Sequence, residues 1–109
     1  MAWKKSSLDA TQRFDKLVAV KGAERRVLFG CPIYVLGGER YATLYQDQVV
    51  LRLSPADAAD LTAKGGRAFE PIKGRKSKDR VVLPDNISAN PRSLRAWVGK
   101  AVAFARSGD

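Results

Sequence analysis

The sequence predicts an α+β domain: an antiparallel β-meander sheet of about four to six strands, with an N-terminal helix, a middle helix and a long C-terminal helix packed on it. Three observations predict this fold. Apolar residues recur at spacings of three and four near both ends of the chain. Short apolar runs, separated by turn residues, fill the region from residue 25 to residue 53. A capped helix start follows these runs, so helices and strands are segregated along the chain.

The N-terminal region divides into a flexible N-terminus, residues 1–6, and the start of a single domain, residues 7–109. Residues 1–6 show no hydrophobic periodicity. Ser7 is a candidate N-cap, and an apolar stripe follows it, made of Ala10, Phe14, Leu17 and Val18. The spacing predicts a helix over about residues 8–20, ended by Lys21-Gly22.

Four short strands are predicted in the central region, and short turns separate them. They cover residues 25–29, 33–36, 40–45 and 49–53. Gly37-Gly38 predicts a two-residue hairpin, because the turns that suit hairpins need positive φ angles. In the fourth strand apolar residues alternate with Arg52, which predicts a strand buried on one side only.

The second half of the chain predicts a second helix, a polar loop and a third helix. Ser54-Pro55 begins the middle helix, which runs to about Lys64 and ends at Gly65-Gly66. Short extended pieces are expected at 69–71 and 81–83. Asn90-Pro91 then begins the clearest helix, over about 91–107, on an apolar stripe made of Leu94, Trp97, Val98, Ala101, Val102 and Ala105.

A sheet with helices on one face exposes its other face. Tyr34, Tyr41 and Tyr45 are candidates for an exposed aromatic surface there. Such a surface predicts either a ligand site or a homodimer through the sheet face.

The charge of the chain favours polyanionic partners. Its 109 residues contain 20 Lys and Arg against 11 Asp and Glu, a net charge of +9. The densest cations form the candidate site for nucleic acid or a protein partner: Lys73, Arg75, Lys76, Lys78 and Arg80. No aromatic residue is interleaved with them and no helix-turn-helix surrounds them, so sequence-tolerant binding is expected. The alternative to a binding site is that this loop is only solvated and contacts no partner.

Few residues in this sequence suit catalysis. Histidine is absent, which removes the usual general base and the commonest metal ligand. Cys31 is the one cysteine, and its apolar setting beside Pro32 favours structural burial over a reactive thiol. Asp57 and Asp60 lie one helical turn apart, and a solvated first turn is favoured over a metal pair. No catalytic residue, metal site or cofactor is predicted.

Membrane insertion is not expected either. The longest uncharged apolar run, residues 27–38, is too short to span a bilayer, and residues 1–20 have no signal-peptide core. A reducing, cytoplasmic setting is expected for a chain with one cysteine.

The motifs of the chain resemble the N-terminal domain of the TfoX/Sxy family. The resemblance rests on Leu28-Phe29-Gly30, Cys31-Pro32, Gly38, Tyr41-Ala42, Val50-Leu51-Arg52-Leu53, Phe69-Glu70-Pro71, Val81-Val82-Leu83-Pro84, Leu94 and Trp97, in that order. It covers roughly residues 12–106. Leu28 stands where the family has methionine, a volume-conserving change. The C-terminal domain of the longer competence regulators is not expected, since the chain ends at Asp109.

The resemblance implies an α+β fold, a bacterial cytoplasmic setting, no cofactor and no enzymatic activity. It implies a regulatory interaction module, related to competence and transcription regulators, that acts through protein partners. Two alternatives stay open. One is a basic, sequence-nonspecific nucleic-acid-binding domain, and the other is a small thiol-dependent enzyme that uses Cys31.

Overall fold

The computed structural model describes residues 8–28, 30–45, 48–70, 74 and 79–107. Within these residues the chain has the predicted α+β fold, with helices and strands largely segregated. The helices are α1 (Leu8–Val18), α2 (Pro55–Ala63), α3 (Asp85–Ser88) and α4 (Pro91–Ser107). The strands are β1 (Glu24–Leu28), β2 (Cys31–Leu36), β3 (Glu39–Tyr45), β4 (Gln48–Arg52), β5 (Arg67–Ala68) and β6 (Arg80–Val82).

The six strands form one sheet in the order β1-β2-β3-β4-β6-β5, and every neighbouring pair is antiparallel. The first four strands make the predicted meander. Gly37 and Gly38 have φ angles of 61° and 84°, which is the conformation that the predicted two-residue hairpin requires. The chain then passes through α2 to the far edge of the sheet, and β6 returns to pair with β4.

α2 and α4 begin where the sequence places capping residues, whereas Ser7 and the predicted flexible residues 1–6 lie outside the described residues. Ser54 Oγ accepts a hydrogen bond from the backbone N–H of Asp57 at 3.3 Å. Asn90 Oδ1 accepts from the backbone N–H groups of Arg92 at 3.0 Å and Ser93 at 3.3 Å. These contacts fix the starts of α2 and α4 at the predicted positions. The four-residue helix α3 is not predicted, since it is too short to show a periodicity.

One hydrophobic core lies between the sheet and the helices. Phe14 and Val18 of α1 are buried in it. The whole predicted stripe of α4 is buried as well: Leu94, Trp97, Val98, Ala101, Val102 and Ala105. α1 ends two residues before the predicted end. The N–H of Ala23 donates to the carbonyl of Val20 at 3.1 Å in the turn that leads to β1.

The predicted aromatic surface is wrong for Tyr34 and Tyr41, which are 5% and 1% exposed. Tyr34 pairs with Ala42 while Val35 pairs with Arg40, so Tyr41 is an extra residue in β3. The bulge turns Tyr41 toward α1, and its hydroxyl donates to the carbonyl of Val18 at 2.9 Å. Both tyrosines therefore belong to the core.

The other face of the sheet is also covered at its centre. Ile33, Thr43, Val50 and Val82 are register partners across four strands. Each is between 1% and 9% exposed. The expectation that the fourth strand is buried on one side only is therefore wrong at Val50. That expectation rested on Arg52 alone, the one polar residue between apolar neighbours. Residues 49–51 form an unbroken apolar run, which is typical of a strand buried on both faces.

Candidate functional site

The predicted basic segment lies in the connection between β5 and β6. Four of its cations lie outside the described residues: Lys73, Arg75, Lys76 and Lys78. The fifth, Arg80, is the first residue of β6. The N–H of Phe69 donates to the carbonyl of Arg80 at 2.9 Å. The described residues on either side of the segment therefore lie next to each other at one end of the sheet.

β5 lies two residues before the extended piece expected at 69–71, and of that piece Pro71 is outside the described residues. β6 begins one residue earlier than expected. The pairing of Arg67 with Val82 and of Ala68 with Val81 sets these bounds. A two-residue strand carries no alternation, so the sequence alone does not locate it.

Three arginines from three strands form a cluster at this end of the sheet. Arg52 on β4 and Arg80 on β6 are register partners, so their side chains leave neighbouring strands side by side. Arg40 on β3 is the third member, and its charge acts on Arg80. We call Arg40, Arg52 and Arg80 the arginine cluster.

Arg52 is held in place from several sides. Its Nε donates to Asp79 Oδ2 at 2.9 Å, and its Nη1 lies 3.5 Å from Glu39 Oε2. Its guanidinium carbon lies 4.6 Å from the centre of the Phe104 ring on α4, which is cation–π contact. Its side chain is only 15% exposed. These contacts hold the guanidinium group of Arg52 in place.

Arg80 lies beside the same carboxylate that Arg52 contacts. Arg80 Nη1 lies 3.7 Å from Asp79 Oδ1, which is longer than a hydrogen bond. Burial lowers the pKa of Arg80, and the positive charges of Arg40 and Arg52 lower it further. Within the described part of the chain, the buried Nε of Arg40 has no hydrogen-bond partner.

The sequence identified only Arg80 of this cluster. The sequence placed Arg40 at the start of the third strand and Arg52 on the outward side of the fourth, and it assigned a site to neither. A signal for them is nevertheless present, because one lies near the start of a strand and the other at the end of the next. Antiparallel pairing of consecutive strands brings such positions to the same end of a sheet.

Cys31 has the surroundings of a packing residue. It is 3% exposed and lies in β2 opposite Leu28. Burial raises the pKa of its thiol, whereas an activated nucleophile needs a lowered pKa. The arrangement therefore favours a neutral thiol that fills space.

The acidic residues of α2 are engaged by lysines. Asp60 Oδ1 accepts from Lys64 Nζ at 3.1 Å, and Asp57 Oδ1 lies 3.8 Å from Lys100 Nζ. Among the residues that the structure describes, no group of three or more potential metal-binding side chains occurs. Over the same residues, no helix is long and apolar enough to cross a membrane.

A concavity of about 370 Å³ lies near the first residue of β4 and the last residue of β6. These are the ends of the two strands opposite to Arg52 and Arg80. The rings of Tyr45 and Phe69 pack edge to face in its wall, with centres 5.3 Å apart. Arg67 Nη2 donates to Gln48 Oε1 at 2.9 Å. The hydrogen-bond partner of this arginine is therefore a neutral amide.

Comparisons of the chain with protein-family models, with curated proteins and with solved structures found no match.

Proposed function

We propose that the chain is a non-enzymatic regulatory interaction module in the bacterial cytoplasm, as its resemblance to the TfoX/Sxy N-terminal domain implies. It binds an acidic protein partner through the basic segment and the arginine cluster, in the service of competence or transcription regulation. One observation carries the proposal: Arg52 and Arg80, on neighbouring strands, meet Glu39 and Asp79 at the point where the basic segment returns to the sheet. Residues 73–80 hold five cations and one carboxylate, Asp79, so the positive charge of the sequence is dense there.

The surroundings of the one thiol support a binding role over catalysis. Cys31 is buried and burial raises its pKa, so it is poorly suited to the thiol-dependent enzyme kept as an alternative. We expect iodoacetamide to label native Cys31 at least about a thousandfold more slowly than the unfolded chain, because labelling requires opening of the fold. Fast labelling of the native protein would revive the thiol enzyme.

The proposal is tested by affinity capture from a lysate of the source cells, with and without nuclease. The test variant replaces Lys73, Arg75, Lys76 and Lys78 by glutamine. The matched control replaces four exposed cations elsewhere, Lys16, Arg92, Arg95 and Arg106, by glutamine. We expect a nuclease-resistant partner on the wild-type and control proteins and its loss from the test variant. Equal capture by both variants would contradict a role for the basic segment.

A second candidate function is sequence-nonspecific nucleic-acid binding. The net charge of +9 and the arginine cluster favour it, because one guanidinium group can donate two parallel hydrogen bonds to the oxygens of a phosphate. If all five cations of the basic segment contact duplex phosphates, the plot of log K against log salt has a slope of roughly −4.5. Replacing four of the five reduces the slope to roughly −1. Absence of duplex binding at low salt in the micromolar range would exclude this candidate.

A homodimer through the sheet face is the remaining option for a partner. It receives less support than the basic surface, since Ile33, Val50 and Val82 are already buried within one chain. Sedimentation at high protein concentration tests it directly. A monomer under those conditions would remove the homodimer.

A further inference from the structure

We propose that a groove between α1 and α4 binds an acidic amphipathic helix of a partner protein. The groove has a volume of about 350 Å³, and we call it the helix groove. Its apolar lining comes from both helices and the residues after α1: Leu17, Val20, Val98 and Val102. The inference goes beyond the proposed function, because these residues belong neither to the basic segment nor to the arginine cluster.

A glycine in the wall of the helix groove is the first observation that points to a ligand. Gly99 lies within α4, and a Cβ at this position would have no neighbour within 4 Å. Close packing therefore does not require a glycine there, although glycine is less favourable than alanine in the middle of a helix. The space that Gly99 leaves open lets an apolar side chain of a partner come close to the backbone of α4.

Three cations line the same groove, and they are the second observation. Lys16, Arg95 and Arg106 are exposed. Within the described part of the chain, none of the three lies in an ion pair. Residues 91–107, which form α4, contain no Asp or Glu. The helix groove thus places positive charge beside apolar side chains, which is complementary to carboxylates that flank an apolar face.

The competing explanation for these cations is that they stabilise the helices that carry them. Lys16 and Arg106 lie in the last turns of α1 and α4, where the helix dipole favours a cation. Arg95 is the fifth residue of α4 and lies near its opposite end, so the dipole does not favour it. A surface charged only for solubility would explain Arg95 but not the open space at Gly99.

The shape and chemistry of the groove fit a helix better than a nucleic-acid backbone. Arg95 and Arg106 both line it and lie about three turns apart, roughly 16 Å along the axis of α4. A partner helix of about this length, lying along α4, can place carboxylates near both arginines and apolar side chains near Gly99. Helices bind apolar grooves through such side chains at spacings of three and four. A phosphate backbone would leave the apolar lining uncovered.

The first experiment selects peptides of about 16 residues, roughly 24 Å as a helix, from a random displayed library on the wild-type protein. Counter-selection on Gly99→Leu removes peptides that bind elsewhere. This variant is expected to fold, because leucine is a better helix former than glycine and the space around Gly99 is open. We expect the enriched peptides to be acidic, with apolar residues at spacings of three and four. Enrichment of basic or aperiodic sequences, or no enrichment, would overturn the proposal.

The second experiment tests the shape of the groove by fluorescence anisotropy with one labelled enriched peptide. We expect Gly99→Leu to weaken binding at least about tenfold, because its side chain occupies the space that the peptide needs. The matched control is Ala96→Leu, which adds the same side chain at an exposed position of α4 outside the groove. It should stay within about twofold of the wild type. Thermal melts of both variants separate a blocked groove from a damaged fold, and equal affinity of the two would contradict the proposal.

The same assay tests the charge of the groove. We expect Arg95→Gln combined with Arg106→Gln to weaken peptide binding about tenfold and to reduce its dependence on salt. Lys64→Gln combined with Arg67→Gln removes two exposed cations that do not line the groove, and should change the affinity less than about twofold. Equal losses in the two double variants would show that the peptide responds only to net charge, and would overturn the site.

The two variants designed for the capture experiment separate the helix groove from the basic segment. The variant with the neutralised basic segment is expected to bind the peptide as the wild type does. The variant without Lys16, Arg92, Arg95 and Arg106 is expected to lose the peptide and to keep the partner of the basic segment. Absence of that partner would therefore contradict the proposed function and leave the peptide result untouched. Binding of a DNA duplex more tightly than the peptide, with loss in the Arg95 and Arg106 double variant, would assign these cations to a phosphate backbone and overturn the helix proposal.

Discussion

Tyr34 and Tyr41 carry hydroxyl groups into the core, and each hydroxyl has a specific acceptor. Tyr34 donates to Asp15 Oδ1 at 2.8 Å, and Tyr41 donates to the carbonyl of Val18 at 2.9 Å. Burial raises the pKa of both phenols to about 12, and for Tyr34 the bond to Asp15 adds to the effect. The neutral phenol is therefore part of the folded structure at both positions.

This arrangement predicts a loss of stability at alkaline pH. The unfolded chain releases these protons near the ordinary pKa of 10, whereas the folded chain keeps them to about 12. Because the folded state binds the protons more tightly, their contribution is complete below pH 10 and disappears as the pH rises to about 12. Urea unfolding at a series of pH values measures it. Tyr34→Phe and Tyr41→Phe together are expected to flatten the curve in this window, and an unchanged slope would contradict the assignment.

At the scale of single residues, the sequence identified the buried thiol and the buried Trp97 but misplaced the tyrosines. Cys31 and Trp97 lie in apolar patterns that predict burial directly. The position of Tyr41 depends on one extra residue in β3, and a bulge leaves no mark on an alternation this short. Side chains next to a bulge are therefore poorly predicted from periodicity.

The elements whose ends carry a cap were predicted within two residues. Ser54 and Asn90 provide side-chain acceptors at the starts of α2 and α4. By contrast, β5 and α3 have two and four residues and depend on what the rest of the chain brings beside them. Short elements of this kind are specified by tertiary pairing rather than by local propensity.

The substitution of glycine by alanine is expected to have opposite effects on stability at Gly66 and at Gly99. A Cβ at Gly66 would lie 2.9 Å from the carbonyl oxygen of Leu61 and 2.9 Å from Val81 Cγ1, so Gly66→Ala forces a shift. We expect it to lower the free energy of unfolding by about 1–3 kcal/mol. Gly99, within α4, has no such neighbour within 4 Å. Gly99→Ala is expected to raise stability by about 0.5–1 kcal/mol.

Chemical denaturation of the two variants alongside the wild type measures this difference. The pair controls for the substitution itself, because each exchanges glycine for alanine. Two changes of the same sign would contradict either the close contact at Gly66 or the open space at Gly99.

At the scale of the whole molecule, one core joins nearly every element. It draws buried residues from α1, β2, β3, β4, α2, β6, α3 and α4. The length of the chain and its two long apolar stripes predicted a single core of this kind. The sequence did not predict the arginine cluster. Arg40, Arg52 and Arg80 come together only because their strands pair, although the three residues are spread over 40 positions of the sequence.

A shared core predicts a single cooperative unfolding transition. Trp3→Phe leaves Trp97 as the one tryptophan, so its fluorescence follows α4 while far-ultraviolet circular dichroism follows the whole chain. We expect the two denaturation curves to coincide. Separate midpoints would show that α4 leaves the sheet before the sheet unfolds, and would contradict one common core.

Strand β1 is the longer of the two sheet edges, with five residues against two in β5, and all five are exposed. Val27 is 60% exposed there, so the open edge carries an exposed apolar side chain among its charged residues. Open apolar edges are templates for aggregation, and charged side chains on them act as gatekeepers. Two copies aligned along β1 would bring Arg25 and Arg26 of each close to those of the other. We expect these arginines to disfavour the pairing of two copies along β1 and so to limit growth of the sheet into a fibril.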